Sequence, residues 1–351
     1  MKKKKIWKIL GGVLGILLAL VVIILGAFTA LEYRPDAMET VQVASGDEKL
    51  EPGEEVSILS WNIGYGALDK DSDFFMDGGT KVNAESEEAV EANLGGIADV
   101  LKQQDADAYF FQEVDLDSKR SFEINEQEYL ENELNIPGMF AYNFKCAYVP
   151  YPIPTIGKVN SGLLTMSDYK VSEATRISLP ESFSWPVKTC NLKRCMLETR
   201  IPIEGTDQEL VLINFHLEAY DSGAGKIAQS KMLADKLQAE YDKGNYVIAG
   251  GDFNQTFEGL EAFPKVDEEN WQPGVIGKDD IPDNFCFAVS NQVPTCRLLN
   301  EPYSGNYEES QVYVIDGFII SNNLTLESVE NIDTDFQYTD HQPVKLKVRL
   351  D

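Results

Sequence analysis

The longest apolar stretch lies near the N-terminus, where the 23 residues from Ile9 to Leu31 include no charged side chain. As a helix this stretch spans roughly 34 Å, enough to cross a hydrocarbon core of about 30 Å. Five lysines precede it, and such a charge bias keeps the N-terminus in the cytoplasm. The pattern predicts an uncleaved transmembrane anchor in residues 1–34. It would sit in the lipid bilayer through residues 9–31, with the rest of the chain extracytoplasmic at the cell membrane.

A cleaved signal peptide is the alternative interpretation of this segment, but its apolar region is usually only about 7–15 residues long. Residues 35–55 follow and are polar and acidic, with almost no large apolar side chains. This composition is typical of a linker. The sequence therefore predicts an acidic linker over 35–55 and a folded domain over 56–351.

Beyond Val56, short apolar runs alternate with two amphipathic segments. Helical spacing of apolar residues predicts helices over Glu87–Lys102 and Lys226–Tyr241. The alternation is not strict, which indicates a mixed α/β body, and residues 255–310 are expected to form a loop-rich excursion. The runs that predict buried strands are Val56–Asn62, Ala108–Glu113, Ser161–Met166, Arg194–Ile201, Leu210–His216, Tyr246–Gly250, Val312–Ser321 and Val344–Leu350.

Polar side chains of a restricted kind stand at or near the ends of most of these runs. Any one of them is more simply a turn residue or a satisfied core side chain. Together they include both histidines of the chain and four acids, which favours a shared site at one edge of a sheet. These residues are Asn62, Glu113, His216, Asp252, Asn254, Asp316, Asp340 and His341.

The chemistry of this set is that of a hard cation and an activated water. Carboxylate and amide oxygens bind Mg²⁺, and a carboxylate with an imidazole can orient or deprotonate a water molecule. The chain has no GxSxG elbow, no P-loop and no HExxH motif. Two histidines are also too few for a histidine-rich zinc site.

Six motifs in this order, WNIG, FFQEVD, NFHL, GGDFN, VIDGFIIS and TDHQPV, resemble the motif series of the endonuclease/exonuclease/phosphatase superfamily. That group includes pancreatic deoxyribonuclease and neutral sphingomyelinases. The resemblance spans Val56 to Asp351. It implies a four-layered α/β/β/α sandwich of two mixed sheets, with the active site at one edge. It also implies divalent-metal-dependent hydrolysis of a phosphoester.

The resemblance also implies a role for each matching residue. Mg²⁺ is the implied cofactor, with Mn²⁺ or Ca²⁺ left open, and its ligands would be Glu113, Asn62 and Asp340. Asp252 would position or deprotonate the attacking water, and Asn254 would donate to the phosphoryl oxygen. The residues implied to be catalytic are His216, Asp252, Asn254, Asp316 and His341, with Asp316 fixing the tautomer of His341 and both histidines beside the phosphate.

Two weaker matches concern substrate binding. Asn160 and Arg194 resemble recurrent positions at the rim of the site, although a turn residue and a structural ion pair are the simpler interpretations. Tyr148, Tyr151 and Trp271 are candidates for a substrate wall, with ordinary loop packing as the favoured alternative.

Charge bears on the substrate. The chain carries a net charge of −28, and beyond residue 34 it holds 24 basic and 57 acidic residues, a net −33. Such a field repels polyphosphate chains, so a small-molecule or lipid phosphoester is favoured over nucleic acid. A nuclease acting on DNA or RNA and a non-catalytic binding protein on the same fold remain the alternatives. The ester, the oligomeric state and the pairing of the five cysteines (Cys286 with Cys296, or Cys190 with Cys195) stay open.

Overall fold

The computed structural model describes residues 2–221 and 223–351. The helices in those ranges are α1 (Lys2–Leu31), α2 (Glu87–Gln104), α3 (Glu126–Leu134) and α4 (Ala224–Tyr241). The strands are β1 (Met38–Thr40), β2 (Glu55–Asn62), β3 (Ala108–Asp115), β4 (Gly138–Val149), β5 (Gly157–Ser167), β6 (Glu173–Ser178), β7 (Cys195–Pro202), β8 (Glu209–His216), β9 (Tyr246–Asp252), β10 (Gln255–Phe257), β11 (Gly274–Ile276), β12 (Phe285–Ala288), β13 (Cys296–Arg297), β14 (Val312–Tyr313), β15 (Asp316–Ser321), β16 (Leu324–Asn331) and β17 (Val344–Leu350).

Most strands form two large mixed sheets. The seven-stranded sheet has the order β1-β6-β7-β8-β9-β15-β12, and the six-stranded sheet has the order β16-β17-β2-β3-β5-β4. Each sheet contains one parallel pair, β8 with β9 and β2 with β3, and its other neighbours are antiparallel. Two short pairs, β10 with β11 and β13 with β14, lie outside the large sheets.

The inner faces of the two sheets share one apolar core. Ile58 and Phe110 of the six-stranded sheet belong to the same buried cluster as Leu212, Ile248 and Phe318 of the seven-stranded sheet. These side chains are fully buried, because each strand places every second residue on the inner face. The core therefore holds the two sheets face to face.

Helices cover both outer faces. Leu233 and Leu237 of α4 pack on the seven-stranded sheet, and Leu94 and Ile97 of α2 pack on the six-stranded sheet. The layers are thus helix, sheet, sheet and helix. The predicted four-layered α/β/β/α sandwich is confirmed, and α2 and α4 begin and end within two residues of their predicted bounds.

Residues 35–55 differ from the expected linker. β1 pairs antiparallel with β6 at the edge of the seven-stranded sheet, and Leu50 is fully buried in the inner core. An edge strand of three residues is held by backbone hydrogen bonds and needs few apolar side chains. The composition of this segment therefore resembles that of a linker. This segment is part of the folded body.

Several other strands depart from the expected pattern. The run Val312–Ser321 is interrupted at residues 314–315 and forms β14 and β15. β4, β6 and β16 had no predicted counterpart: β6 and β16 have few consecutive apolar residues, whereas β4 holds apolar runs over 139–142 and 146–149 that were not assigned to a strand. Among the described residues all five cysteines are free, so neither considered pairing is formed.

The C-terminal end of α1 is fastened to the body. The Nζ of Lys193 lies 2.9 Å from Glu32 Oε1, and both side chains are buried. Trp185 Nε1 donates to the hydroxyl of Thr29 at 3.0 Å. α1 is long and apolar enough to cross a membrane, although a signal sequence would meet the same criterion.

Candidate active site

Strand register brings the predicted polar residues to one edge of the sandwich. His216 pairs with Asp252 across β8 and β9, and Asp252 pairs with Asp316 across β9 and β15. In the other sheet, Asn62 ends β2 and Glu113 lies near the end of the parallel strand β3. The carboxyl ends of parallel strands meet at the same edge, so the two sheets contribute to one site.

Asn62 connects the contributions of the two sheets. Its Nδ2 donates to Asp252 Oδ2 at 3.1 Å and to Glu113 Oε1 at 3.4 Å. Its Oδ1 accepts from the backbone N–H of Gly64 at 3.1 Å. In this orientation the amide positions two carboxylates, and its oxygen is engaged. The geometry therefore favours an orienting role for Asn62 over the direct metal ligation that the resemblance implies.

Glu113 stands on distorted backbone. Its φ is +56°, and the register of β3 against β5 shifts between Phe111 and Val114. A bulge inserts an extra residue and re-aims its side chain, and a positive φ is unfavourable for a residue with a Cβ. Such strain is concentrated at functional sites. The local distortion points the Glu113 carboxylate into the site.

His341 is held on both sides. Its Nδ1 lies 2.9 Å from Asp316 Oδ2, and its backbone carbonyl accepts from the indole N–H of Trp61 at 2.9 Å. Burial alone lowers the pKa of His341, but the carboxylates of Asp316, Asp340 and Asp252 raise that pKa well above its usual value. These carboxylates favour the protonated ring, whose Nε2 lies 3.8 Å from Asp252 Oδ2.

His216 has the opposite character. Burial, followed by the positive charges of Arg194 and His341, lowers the pKa of His216 well below its usual value. Its Nε2 lies 3.4 Å from Asp252 Oδ2. Burial and the nearby Asp316 raise the pKa of Asp252 to about 7. Two imidazoles whose pKa values are shifted in opposite directions thus flank a carboxylate whose pKa is raised, an arrangement suited to acid and base chemistry.

Two carboxylates fit a divalent cation. Burial raises the pKa of Glu113 and of Asp340, and the negative charge of Asp340 raises the pKa of Glu113 further by repulsion. Both carboxylates also raise the pKa of Tyr65. A bound cation would offset this repulsion, and oxygen donors are the ligands that Mg²⁺ prefers. Glu113 and Asp340 would hold the ion.

Two other clusters are close enough to share an ion. Ligand atoms of Asp252, Asp316 and His341 lie within 4.8 Å of one another, as do those of Cys296, Asp340 and His341. Both clusters need a ring nitrogen of His341. Its Nδ1 is bonded to Asp316 and its pKa is raised, which disfavours the free ring lone pair that a metal needs, and a thiol is a poor ligand for a hard cation.

Asn254 lies beside Asp252 in a left-handed conformation with φ +51°. Its backbone N–H donates to Asp252 Oδ1 at 2.8 Å, and its Nδ2 donates to the carbonyl of Leu217 at 2.9 Å. One N–H of the side-chain amide stays available. That group could donate to a phosphoryl oxygen.

The two weaker candidates fall in different places. Arg194 borders the site, where its Nη1 donates to the carbonyl of His216 at 3.1 Å and its Nε lies 3.4 Å from Glu218 Oε2. It therefore supports His216 and is also the ion pair considered as the alternative. Asn160 lies within β5, and its amide bonds to Asp117. It does not line the site cavity, because that contact turns it to the outside of the strand.

The site opens into a cavity of about 780 Å³. Glu113, Asp252 and His341 form part of its wall, and Tyr151 and Trp271 also line it. Two of the three aromatic residues proposed as a substrate wall thus line the cavity. Tyr148 does not line it, and its hydroxyl contacts Thr155 at 3.2 Å.

Several cavity residues were not predicted. Arg120 forms two hydrogen bonds with Asp115, at 3.0 and 2.9 Å, and its guanidinium lies 3.6 Å from the ring centroid of Tyr65. Tyr220 donates to Asp77 Oδ1 at 2.9 Å, and burial raises the pKa of Asp77 to about 6. Tyr65, Asp77, Arg120 and Tyr220 lie in loops or short turns, where no periodicity identifies an inward side chain.

A buried amide pair lies directly beneath the site. Gln112 Nε2 on β3 donates to Asn214 Oδ1 on β8 at 2.8 Å. Asn214 in turn donates to the backbone carbonyls of Phe111 and Leu164 at 3.2 and 3.0 Å. The signal for this pair was present in the sequence, since both amides interrupt otherwise apolar strands. The bond joins the two sheets.

Comparison with known proteins agrees with this geometry. Residues 59–297 match the family described as Endonuclease/Exonuclease/phosphatase family. The chain belongs to that family. Members of the family are generally metal-dependent phosphoesterases or nucleases. No curated protein matches the chain.

Solved structures share the family fold. An endonuclease/exonuclease/phosphatase from Beutenbergia cavernae DSM 12333 has a TM-score of 0.60 at 15% identity, covering 84% of this chain and 72% of that one. TDP2 from C. elegans has a TM-score of 0.53 at 17% identity, covering 87% and 77%. A D. rerio TDP2 complexed with single strand DNA product has a TM-score of 0.53 at 15% identity, covering 84% and 99%. Identities this low establish the fold alone.

Proposed function

We propose that this protein is a membrane-anchored, extracytoplasmic phosphoesterase that depends on a divalent metal ion, with Mg²⁺ as the first candidate. The observation that carries the proposal is the pair of imidazoles at 3.4 and 3.8 Å from Asp252 Oδ2, whose pKa values are shifted in opposite directions. A binding protein on this fold has no need for such a set. α1 supports the anchoring, and five lysines before its apolar part support a cytoplasmic N-terminus.

The residues divide the work of in-line hydrolysis. Glu113 and Asp340 would hold the cation, which when bound would supply charge neutralisation at the phosphoryl group. Asp252 accepts a proton from the attacking water, because its raised pKa of about 7 makes it a competent base near neutrality. Neutral His216, 3.4 Å from Asp252, orients that water or relays its proton.

His341 and Asn254 act on the phosphate. The protonated ring of His341 donates from Nε2 to a phosphoryl oxygen, while Asp316 holds its Nδ1. The free N–H of Asn254 donates to a second oxygen. Donors already in place where negative charge grows in the transition state are the largest source of such catalysis.

The test uses the full chain in detergent micelles with bis(p-nitrophenyl) phosphate as a soluble diester. We expect Mg²⁺-dependent release of p-nitrophenol, lost to background in Asp252→Ala. Asp235→Ala is the matched control, since Asp235 is an exposed residue on α4. Equal activity in the two variants would exclude the assigned site, and no activity in the parent chain would favour a binding protein.

A nuclease is the second candidate, because the D. rerio TDP2 on this fold is described with a DNA product. Supercoiled DNA, incubated with the same preparation at physiological salt, separates the two candidates. The negative charge of the body predicts slow nicking or none. Rapid nicking that Asp252→Ala abolishes would establish the nuclease instead.

A further inference from the structure

We infer that the substrate is a diacyl phosphodiester lipid of the membrane, whose acyl chains lie along an apolar wall between the site and α1. This inference rests on the proposed phosphoesterase function and names its substrate class. It depends on three features of the described residues: the extent of the cavity, the position of α1 and the pairing of the cavity's cationic side chains.

The cavity is continuous from the reacting groups to the membrane helix. Asp252 and His341 lie at one end of it, and Leu25 and Phe28 of α1 line the same space. A helix that crosses a bilayer has apolar lipid around residues at this depth. A lipid could therefore reach the site without its chains passing through water.

The wall between these ends is apolar and aromatic. It consists of side chains from the loop between β2 and α2, from the end of β4 and the β4–β5 connection, and from the segment before β7. These are Phe74, Phe75, Val149, Ile156, Phe183 and Val187. Water-soluble phosphoesters need no such surface, whereas each buried CH₂ of an acyl chain is stabilised by about 0.8 kcal/mol.

The contacts at the end of α1 place the mouth of the cavity at the bilayer surface. Glu32 is bonded to Lys193, and Thr29 to Trp185, so the helix end cannot move away from the segment that forms the rim. At this rim, Tyr151 is 69% exposed and Ile153 is 92% exposed. Trp185 and Val187 are also more than half exposed. Exposed aromatic and aliphatic side chains beside a membrane helix are typical of an interfacial contact.

The charges of the cavity disfavour a nucleic acid. Three arginines line the cavity. Arg120 forms an ion pair with Asp115, and Arg194 forms one with Glu218. Arg297 donates to the backbone carbonyls of Asp69 and Ser72 at 2.6 and 3.0 Å. No lysine lines the cavity among the residues that the structure describes. A polyanionic strand would find no free cationic track, whereas a single lipid phosphate needs only the metal and His341.

The reaction is a hydrolysis that balances without a co-reactant. The water oxygen forms a bond to phosphorus, and one P–O ester bond breaks. The departing alkoxide takes up one proton and leaves as an alcohol. The products are a phosphomonoester and an alcohol, one of which stays in the bilayer with the acyl chains.

The test compares two substrates on the full chain in nanodiscs of phosphatidylcholine and phosphatidylglycerol with Mg²⁺. Lipid cleavage is followed by mass spectrometry, and bis(p-nitrophenyl) phosphate reports the chemistry alone. Val187→Asp places a charge on the apolar wall and Ile153→Asp places one at its rim, both at exposed positions. Leu326→Asp is the control, because Leu326 is exposed and pairs with Val348, at the end of the sheet opposite the site.

We expect the wall variants to lose lipid hydrolysis on the order of tenfold or more, with the soluble diester cleaved at the parent rate. Leu326→Asp should cleave both substrates like the parent chain. Equal loss on both substrates, or undiminished lipid cleavage, would overturn the inference. Cleavage of the soluble diester with no lipid cleavage in the parent chain would also overturn it, while leaving the proposed function intact.

A second measurement does not depend on turnover. A phosphatidylcholine carrying a diazirine near the end of one acyl chain is photolysed in the same nanodiscs, and labelled peptides are identified. We expect labelling of residues 144–156 and 183–192, reduced by Val187→Asp and unchanged by Leu326→Asp. Labelling confined to α1 would contradict the inference, even if the chain hydrolysed neither the lipid nor the soluble diester.

Discussion

His341 Nδ1 and Asp316 Oδ2 lie 2.9 Å apart, although the two residues belong to different sheets. The first precedes β17 of the six-stranded sheet, and the second begins β15 of the seven-stranded sheet. The pair holds the imidazole in one orientation, and the carboxylate raises the pKa of the ring. In the proposed mechanism this contact positions the group that donates to the phosphate.

Asp316→Asn tests that contact. An amide can still accept from Nδ1, but it no longer stabilises the positive ring, so kcat should fall on the order of 10²–10³-fold with little change in KM. Hydrolysis of bis(p-nitrophenyl) phosphate gives both constants. Asp283→Asn, at an exposed loop position, should leave both unchanged. A kcat within a factor of about two of the parent would remove Asp316 from the machinery.

Glu113→Gln tests the cation site. Loss of one carboxylate charge should weaken Mg²⁺ binding by about 10–100-fold. The readout is the rise in melting temperature with Mg²⁺ concentration, which reports binding independently of turnover. Glu268→Gln is the control, because Glu268 is an exposed loop residue. An unshifted Mg²⁺ titration in Glu113→Gln would show that the ion is held elsewhere.

Lys193→Met tests the attachment of α1. Removing this cation leaves the buried Glu32 with Arg34 at 3.0 Å and Lys188 at 3.8 Å. The free energy of unfolding should drop by about 2–3 kcal/mol, less than for an isolated buried pair because these two cations remain. Denaturant unfolding in detergent measures the loss.

The matched variant is Lys231→Met, which breaks an exposed pair with Asp235 and should cost less than about 0.5 kcal/mol. If both substitutions had the same small effect, the helix end would not be fastened through Lys193. The position of the cavity mouth would then lose its main support.

Asp168→Asn tests a pH effect far from the site. Burial, then the charges of Glu48 and Asp107, raises the pKa of Asp168 from 3.8 to about 6. The folded state therefore favours the protonated acid, and stability falls as pH rises from about 4 to 6. The amide variant should match the parent at pH 4 and exceed it by about 1 kcal/mol at pH 7, a value reduced for partial exposure.

Denaturant unfolding at several pH values provides this comparison, with Asp235→Asn as an exposed control. A stability difference that is constant between pH 4 and pH 7 would contradict the assignment. So would a variant that is less stable than the parent at pH 7.

Much of the fold and the site follows from the sequence, because strands that end in acids and histidines place those groups at one edge. Asp252 and His341 were found in this way, and the face-to-face packing of the two sheets brings them together. The burial of Leu50 was not predicted, because a single apolar residue in an acidic segment shows no periodicity. The orientation of Asn62 also needed coordinates, since an amide presents either its oxygen or its N–H groups depending on its neighbours.

The hydrogen bond between the side-chain amides of Gln112 and Asn214 has a consequence for evolution and engineering of this protein. Glu113 and Asn62 stand on one sheet, while His216 and Asp252 stand on the other, so the active site is a seam between two separately hydrogen-bonded halves. A core substitution that shifts one sheet against the other by a fraction of an ångström would misalign the site residues of the two sheets, although it changes none of those residues. Catalysis should therefore be more sensitive than stability to repacking of the layer between them.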